Sequence, residues 1–398
     1  MILLNEIKSL NILAGSNKIK ILPDRPFSNI NLDFLKDLSS LIRKSKDSKL
    51  YSDLMTFSFW CRESNLKRYR DNYSFIKNRL GRGLVFHIAP SNVPLNFAYS
   101  FIFGLLSGNA NIIKVPSKSF LQVDLLLLMI NQILKKEKYN KLYLKNSFLN
   151  YNKDSSATEL LSSVCDIRLI WGGDTTINKI RESTLQPKSI DFTFSDRYSI
   201  ALINSDELIN ASEKEISSLS EAFYNDTYLM DQNACSSPHI VFWVGNSKIK
   251  AKKLFWDKLN LLVEKKYLID DMISIEKHLQ LCEDAINLKS DFKFSKYANR
   301  IYLLTLRKLP DNLEELRGKC GYFYQYDINE ESEISLHINK KFQTLTYYGL
   351  NKEKLMDTII KNNLTGIDRI VPIGRALDID LVWDGYDMIT SLSRQITF

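Results

Sequence analysis

Apolar positions in the first eighty residues follow helical spacing. Phe34, Leu35, Leu38, Leu41 and Ile42 fall on one helical stripe, with lysines, arginines and acids between them. This stretch reads as packing material. From residue 81 short uninterrupted apolar runs alternate with longer periodic ones. Residues 83–88 (GLVFHI) predict a buried strand, 97–106 a helix, 111–115 (NIIKV) a strand and 120–134 a helix. A strand over 166–171 (DIRLIW), a short helix from Thr175 and a strand over 199–203 continue the alternation. Such alternation predicts a parallel sheet covered by helices, with ligands bound beyond the carboxyl ends of the strands. That rule directs attention to the loops after Ile88 and after Trp171.

The second half predicts a helix over 207–224, a polar loop over 225–233, then Ala234-Cys235-Ser236-Ser237-Pro238 and a strand over 239–244 (HIVFWV). Pro372-Ile373-Gly374 is the last strong break. After it come a strand-like 379–382, an Asp384-Gly385 turn and a closing helix over 388–394. With only 14 glycines and 9 prolines in 398 residues, each such break carries weight.

Composition narrows the class without changing this picture. A chain 44% hydrophobic and 25% charged is an ordinary globular protein, and its length admits two domains. The net charge of +8 is dispersed, as in RKSKDSK at 43–49, which describes a solvated surface and argues against nucleic-acid binding. The five cysteines, at 61, 165, 235, 282 and 320, lack the close pairing of a metal site or a disulfide framework. No metal and a reducing, cytoplasmic location are expected. The N-terminus lacks a signal-peptide pattern, and every apolar run is shorter than the ~20 residues a membrane span needs.

Candidate chemistry gathers at three places. Cys235 lies in a loop between a helix and a buried strand, flanked by small residues. There a thiol is reachable and its N–H can point at a carbonyl oxygen, although a free cysteine is also a common small core residue. In Ile88-Ala89-Pro90-Ser91-Asn92-Val93-Pro94 two prolines stiffen a loop that holds the Asn92 amide at the ligand-binding edge of the sheet. Gly172-Gly173 opens a helix after a strand. This suits either close approach of a phosphate or a tight turn capped by Asp174. No GxGxxG run is present. His87 and His239 lie within predicted strands and read as satisfied core histidines.

The Pro-x-Asn-x-Pro loop, the helix after it, Gly108-Asn109, the strand ending in Lys114 and then Cys235 resemble, in order and spacing, the aldehyde dehydrogenase superfamily. Four segments, GLVFHIAPSNVPLNFAYSFIFGLLSGNANIIKVPSK, IWGGDTTINKIR, DQNACSSPHIVFW and RIVPIGRALDIDLVWDGYDMITSLSRQI, resemble more narrowly the LuxC-type acyl-CoA reductases. That family supplies fatty aldehyde to bacterial luciferase and has members outside bioluminescence. The resemblance runs from about residue 80 to the end, is thin over 245–345 and is not evident before 80.

The resemblance implies an α/β protein of the aldehyde dehydrogenase-like fold, with a Rossmann-like cofactor domain and an α/β catalytic domain. The expected divisions are 1–195 for the N-terminal helices and cofactor domain, 196–375 for the catalytic domain, and 376–398 as a C-terminal oligomerisation element. By the same resemblance Cys235 is the nucleophile that forms an acyl-enzyme, and Asn92 with the Cys235 N–H is the oxyanion hole. Pro90, Ser91, Lys114, Ser117, Gly172 and Gly173 hold the cofactor, with Lys114 near the adenosine ribose and the two glycines under the pyrophosphate. Hydrolytic superfamily members carry a water-activating glutamate where this chain has Thr193, a change that favours reduction of a thioester to an aldehyde. NAD-preferring members carry an acid at the position of Ser117, here followed by Lys118. NADPH is therefore expected, with NADH left open. The acyl donor is expected to be an acyl-CoA or an acylated partner protein, and the chain to be a homo-oligomer. Two other readings stay open: a CoA-acylating aldehyde dehydrogenase working oxidatively, and a non-catalytic subunit binding an acyl-transfer partner.

Overall fold

The computed structural model describes residues 1–7, 10–152 and 156–397. It divides into two compact units, one of residues 1–195 with 386–398 and one of residues 196–385. The stretch 376–398 is thus shared between the units, with the division after Gly385.

The first unit holds a six-stranded sheet of Asn11–Gly15 (β1), Leu84–Ile88 (β2), Ala110–Lys114 (β3), Asn146–Asn150 (β4), Ile167–Trp171 (β5) and Ile190–Phe194 (β6), in the order β1-β4-β3-β2-β5-β6. All pairings are parallel except β1 with β4. Every residue of β2 and β5 is buried, as expected of unbroken apolar runs in a sheet covered on both faces. The cover includes Asn29–Lys44 (α1), Asn96–Leu106 (α2) and Leu121–Leu134 (α3). On α1 the buried stripe is Phe34, Leu35, Leu38 and Ile42, with Leu41 at its margin. The N-terminal region contributes more than helices, because β1 adds an antiparallel edge strand to the sheet.

From β2 the chain steps outward one way to β3 and β4, then returns to β5 and β6 on the other side of β2. The topological switch point therefore lies between β2 and β5. The loops after Ile88 and Trp171 flank that crevice, where open α/β sheets bind ligands. Gly108-Asn109 explains itself structurally. Gly108 has φ +87, and a Cβ there would come within 2.1 Å of the Asp24 carbonyl oxygen. The Asn109 side chain accepts from the Gly83 N–H at 3.0 Å and donates to the Leu392 carbonyl at 2.9 Å.

The second unit holds a seven-stranded sheet of Tyr198–Asn204 (β7), Pro238–Val244 (β8), Phe292–Tyr297 (β9), Ile301–Leu306 (β10), Tyr322–Asp327 (β11), Phe342–Tyr348 (β12) and Arg369–Pro372 (β13). The order is β9-β10-β11-β8-β7-β12-β13, parallel except for the β9/β10 hairpin. One core packs Trp243, Phe255, Trp256 and Phe323, and a second packs Tyr198, Tyr302, Leu304, Tyr322 and Tyr324.

Three local expectations change. The helix expected over 207–224 is two helices, Ser205–Asn210 and Glu213–Thr227, because Ser212 and Glu215 form a capping box that starts the second afresh. The closing helix ends at Ser391, and Ser393–Gln395 instead pairs with Arg79–Gly81. Of 379–382 only Val382 is strand, the first residue of Val382–Trp383.

Candidate active site

In the first unit the candidate residues occupy the carboxyl edge of the sheet. Ser91 and Asn92 are exposed beyond β2, and Pro90 is half-buried. Lys114 ends β3 with its ammonium 4.6 Å from the centroid of the Tyr151 ring, a cation–π contact that holds it at the edge. Ser117 and Lys118 are exposed just beyond. Gly172 and Gly173 follow β5 and lead into Asp174–Arg181 (α4). The N-cap is Gly173 and not Asp174, which sits in the first helical turn. A Cβ on Gly173 would meet nothing within 4 Å, so the fold itself does not demand glycine there. The space that a side chain would fill is what a phosphate group could approach, so these residues fit a dinucleotide.

Behind this edge runs a buried polar relay that sequence patterning did not find. The Trp171 indole N–H donates to Ser100 Oγ at 3.0 Å. The His87 ring is neutral and its Nε2 faces the Asn111 amide oxygen, which can only accept, so Nδ1 is the bare nitrogen and accepts from the Ser100 hydroxyl at 2.8 Å. His87 Nε2 then carries its proton and donates to Asn111 Oδ1 at 3.0 Å. Asn111 Nδ2 in turn donates to Asn146 Oδ1 at 2.8 Å. Complete burial lowers the His87 pKa to about 4, and the imidazole stays neutral. Trp171 also stacks on Phe194 with ring centroids 3.8 Å apart, and Tyr386 packs edge-on against Phe192 and Phe194. The relay thus fixes the residue next to Gly172. Thr193 is half-buried on β6.

In the second unit the cysteine cluster lies at the opposite, amino edge, where β7, β8, β11 and β12 begin. Cys235 is half-buried in the turn before β8. Its carbonyl accepts from Ser199 Oγ at 2.6 Å, and Ser237 Oγ donates to the Asp226 carbonyl at 2.7 Å. Gln232, buried upstream with φ +57, accepts from the N–H groups of Gly321 and Tyr322 and donates to the Tyr322 carbonyl. These bonds fix the turn. Among the described residues the Cys235 N–H has no acceptor. Burial pushes the thiol pKa up, while the Arg197 backbone N–H on the sulfur and the Arg317 charge pull it down.

Asp384, within Trp383-Asp384-Gly385, has φ +52 and pairs with Arg197 at 2.9 Å and with Gln343 at 3.0 Å. Arg197 also pairs with Asp368, and Arg317 pairs with Asp196 at 2.9 Å. Arg197, Ser199, Gln232, Arg317 and Asp384 were not selected from the sequence. Only Gln232 and Asp384 carried a signal, each as part of a quoted segment. His239 is a core residue, donating from Nδ1 to the Gly318 carbonyl at 3.0 Å, its pKa lowered to about 3 by burial. Among the described residues no three metal-ligating side chains cluster, and no helix is long and apolar enough to cross a membrane.

This architecture, with a switch-point crevice on one parallel sheet and a cysteine turn on another, is the aldehyde dehydrogenase fold. Aldehyde dehydrogenase 21 from Physcomitrella patens, solved with succinate, superposes with a TM-score of 0.65 at 12% identity over 92% of this chain and 84% of that one. A glyceraldehyde-3-phosphate dehydrogenase from Methanocaldococcus jannaschii complexed with NADP gives 0.62 at 15% identity over 93% and 88%. Within that fold the chain belongs to the acyl-CoA reductase (LuxC) family, whose profile matches residues 28–395 and so reaches upstream of residue 80. Similar proteins include the long-chain acyl-protein thioester reductases of Photobacterium phosphoreum and Photorhabdus laumondii, each 23% identical. The matches cover 80% and 82% of this chain but only 62% and 65% of those relatives.

Proposed function

We propose that this chain is an acyl thioester reductase that releases an aldehyde through an acyl-enzyme on Cys235. The observation that carries the reading is the fixed Cys235 turn, with a half-buried cysteine, a backbone N–H that has no acceptor among the described residues and the Arg197 N–H on the sulfur. The relatives named long-chain acyl-protein thioester reductase support the same reaction class. Cys235 sulfur attacks the acyl carbon, the bond to the donor sulfur breaks, and the donor leaves as a thiol with the proton given up by Cys235. Asn92 and the Cys235 N–H stabilise the oxyanion, a contribution of about 2.7–4 kcal/mol per donor. A reduced nicotinamide, when bound, would supply a hydride to the acyl carbon; the bond from that carbon to the Cys235 sulfur then breaks to release the aldehyde, and the thiolate takes a proton from solvent to restore the thiol.

Lys114, Ser117, Gly172 and Gly173, with Pro90 and Ser91 beside them, are assigned to holding that dinucleotide. Ser117 and Lys118 favour NADPH, since neither repels a 2′-phosphate. Thr193 has no carboxylate with which to activate water, so the acyl-enzyme survives long enough to be reduced. The donor is a long-chain acyl group carried on CoA or on a partner protein, in a reducing cytoplasm. The test is a series of acyl-CoA chain lengths incubated with NADPH or NADH, following nucleotide oxidation and trapping aldehyde. Cys235→Ala should abolish turnover while nucleotide still binds. Undiminished oxidation in that variant, or no aldehyde from any thioester, would overturn the reading.

A further inference from the structure

Within the second unit the chain after β13, residues 373–385, is tied down at three points. Asp226, on the helix Glu213–Thr227, accepts from the Gly374 and Ala376 N–H groups at 2.6 and 2.9 Å, and its own carbonyl takes the Ser237 hydroxyl of the cysteine turn. Arg369 donates to the Arg375 and Ala376 carbonyls at 2.9 and 2.7 Å and lies 4.9 Å over the Trp383 ring. The third point is Asp384. Its carboxylate pairs with Arg197 and accepts from Gln343, and the side chain is only 3% exposed.

The local backbone does not call for an acid there. Asp384 has φ +52 and Gly385 φ +79, two left-handed residues in succession, a turn that glycine would make with less strain. Nor does Arg197 lack partners without it. Its guanidinium donates to the Phe342 carbonyl at 2.8 Å and pairs with Asp368. The surplus carboxylate gains a purpose at the other end of the same residue, where the Arg197 N–H donates to the Cys235 sulfur. The charged groups around that sulfur are Asp196 and Arg197 before β7, Arg317 in the loop before β11 and Asp384 after β13, with Asp368 reached through Arg197. His239, on β8, is buried and neutral. Two cations thus stand against three acids, and the surroundings of the thiol are negative on balance.

We infer that Asp384 is a positioning residue of the cysteine turn: acting through Arg197, it braces the backbone N–H on the sulfur and cancels the charge of the arginine. This role rests on the one proposed for Cys235, but the state of the sulfur can be read by alkylation without any turnover. The two effects have different origins. The brace needs an acceptor for the guanidinium, whereas the cancellation needs a negative charge.

Three variants of the full chain separate them. Asp384→Asn keeps the shape, tolerates the left-handed backbone and retains an acceptor for Arg197, but removes the charge. Asp384→Gly removes acceptor and charge together. Asp327→Asn, at the carboxyl end of β11 where the side chain pairs with Lys252, removes a charge from the far edge of the same sheet as a control. The rate of iodoacetamide addition to Cys235 is measured against pH by mass spectrometry of its peptide. In both Asp384 variants the midpoint should fall by on the order of one pH unit, the effect of losing one neighbouring negative charge at a partly buried site. Asp327→Asn should leave it in place. Acyl-CoA reduction should show kcat at least about tenfold lower in Asp384→Gly and much less reduced in Asp384→Asn, with KM for the thioester unchanged in both. If the glycine variant does not fold, the asparagine profile alone decides. A midpoint in Asp384→Asn that rises or stays within about 0.3 unit of wild type, or one that falls as far in Asp327→Asn, would overturn the role, as would a wild-type kcat in a folded Asp384→Gly. Failure of the thioester reading itself would show differently, as turnover surviving in Cys235→Ala.

Discussion

Ser199→Ala offers a sharp test of how the cysteine turn is held. Both ladders of β7 change register at Ser199, the one with β8 between Ser199 and Ile200 and the one with β12 between Tyr198 and Ile200, so the backbone alone cannot satisfy its neighbours there. The Ser199 hydroxyl fills the gap. It donates to the Cys235 carbonyl at 2.6 Å and accepts from the Thr344 N–H at 3.2 Å, and the side chain is completely buried. Alanine removes both bonds and leaves an N–H and a carbonyl with no partner of comparable geometry. A buried group left unpaired costs about 1–3 kcal/mol, so the loss for the pair should be about 2–6 kcal/mol. The turn would keep its Ser237 and Gln232 anchors but lose the one nearest the thiol. Urea unfolding followed by circular dichroism reads the stability. Acyl-CoA reduction should fall about tenfold, the scale of a ~1.4 kcal/mol loss of positioning, while nucleotide affinity stays unchanged. Stability within about 0.5 kcal/mol of wild type would show that Thr344 and Cys235 find other partners, and this account of the bulge would be refuted.

Asn92→Ala should lower the reduction rate by about 10²–10³ with little change in thioester binding, and an unchanged rate would remove Asn92 from the oxyanion role. His87 gives a pH signature. Its pKa lies at about 4 in the folded state and 6.5 when unfolded, so between these values the unfolded chain binds more protons. The His87 contribution is therefore complete above pH 6.5 and is lost as pH falls toward 4, a change of about 2 kcal/mol between pH 7 and 5. His87→Gln should lower stability at neutral pH but flatten that part of the curve. A variant curve parallel to wild type would mean that His87 does not remain neutral.

Local periodicity made most of the first unit legible. The runs that became β2, β3 and β5 are apolar throughout because the sheet is covered on both faces, and such runs identify themselves. Asn11–Gly15 is an edge strand with a half-exposed face and no long apolar run, so its place in the sheet depends on a distant partner, Asn146–Asn150. The break at Ser212 was visible in principle, since Ser212 and Glu215 have the spacing of a capping box, but the apolar periodicity continued across it. Cys235, Asn92 and the two glycines could be selected because each lies in a short segment of unusual residues. The Trp171–Ser100–His87–Asn111 relay could not, because its members sit on four different elements and only folding brings them into line.

The charges around Cys235 show the same limit and bear directly on the chemistry. Two arginines near a cysteine would ordinarily argue for a depressed thiol pKa. Here each is already answered: Arg317 by Asp196, and Arg197 by Asp384 and Asp368. What remains is a buried sulfur with one backbone N–H donated from Arg197, so burial dominates and the resting thiol stays protonated at neutral pH. His239, on the strand that follows Cys235, is committed to the Gly318 carbonyl and is too weakly basic to take a proton. The arrangement therefore differs from a cysteine–imidazole pair, in which the thiolate is preformed. Under the proposed mechanism, nucleophilicity would instead arise when the thioester is bound and the proposed oxyanion donors have a charge to stabilise. Such a resting thiol is poorly reactive toward oxidants, and no second cysteine lies beside it in the sequence.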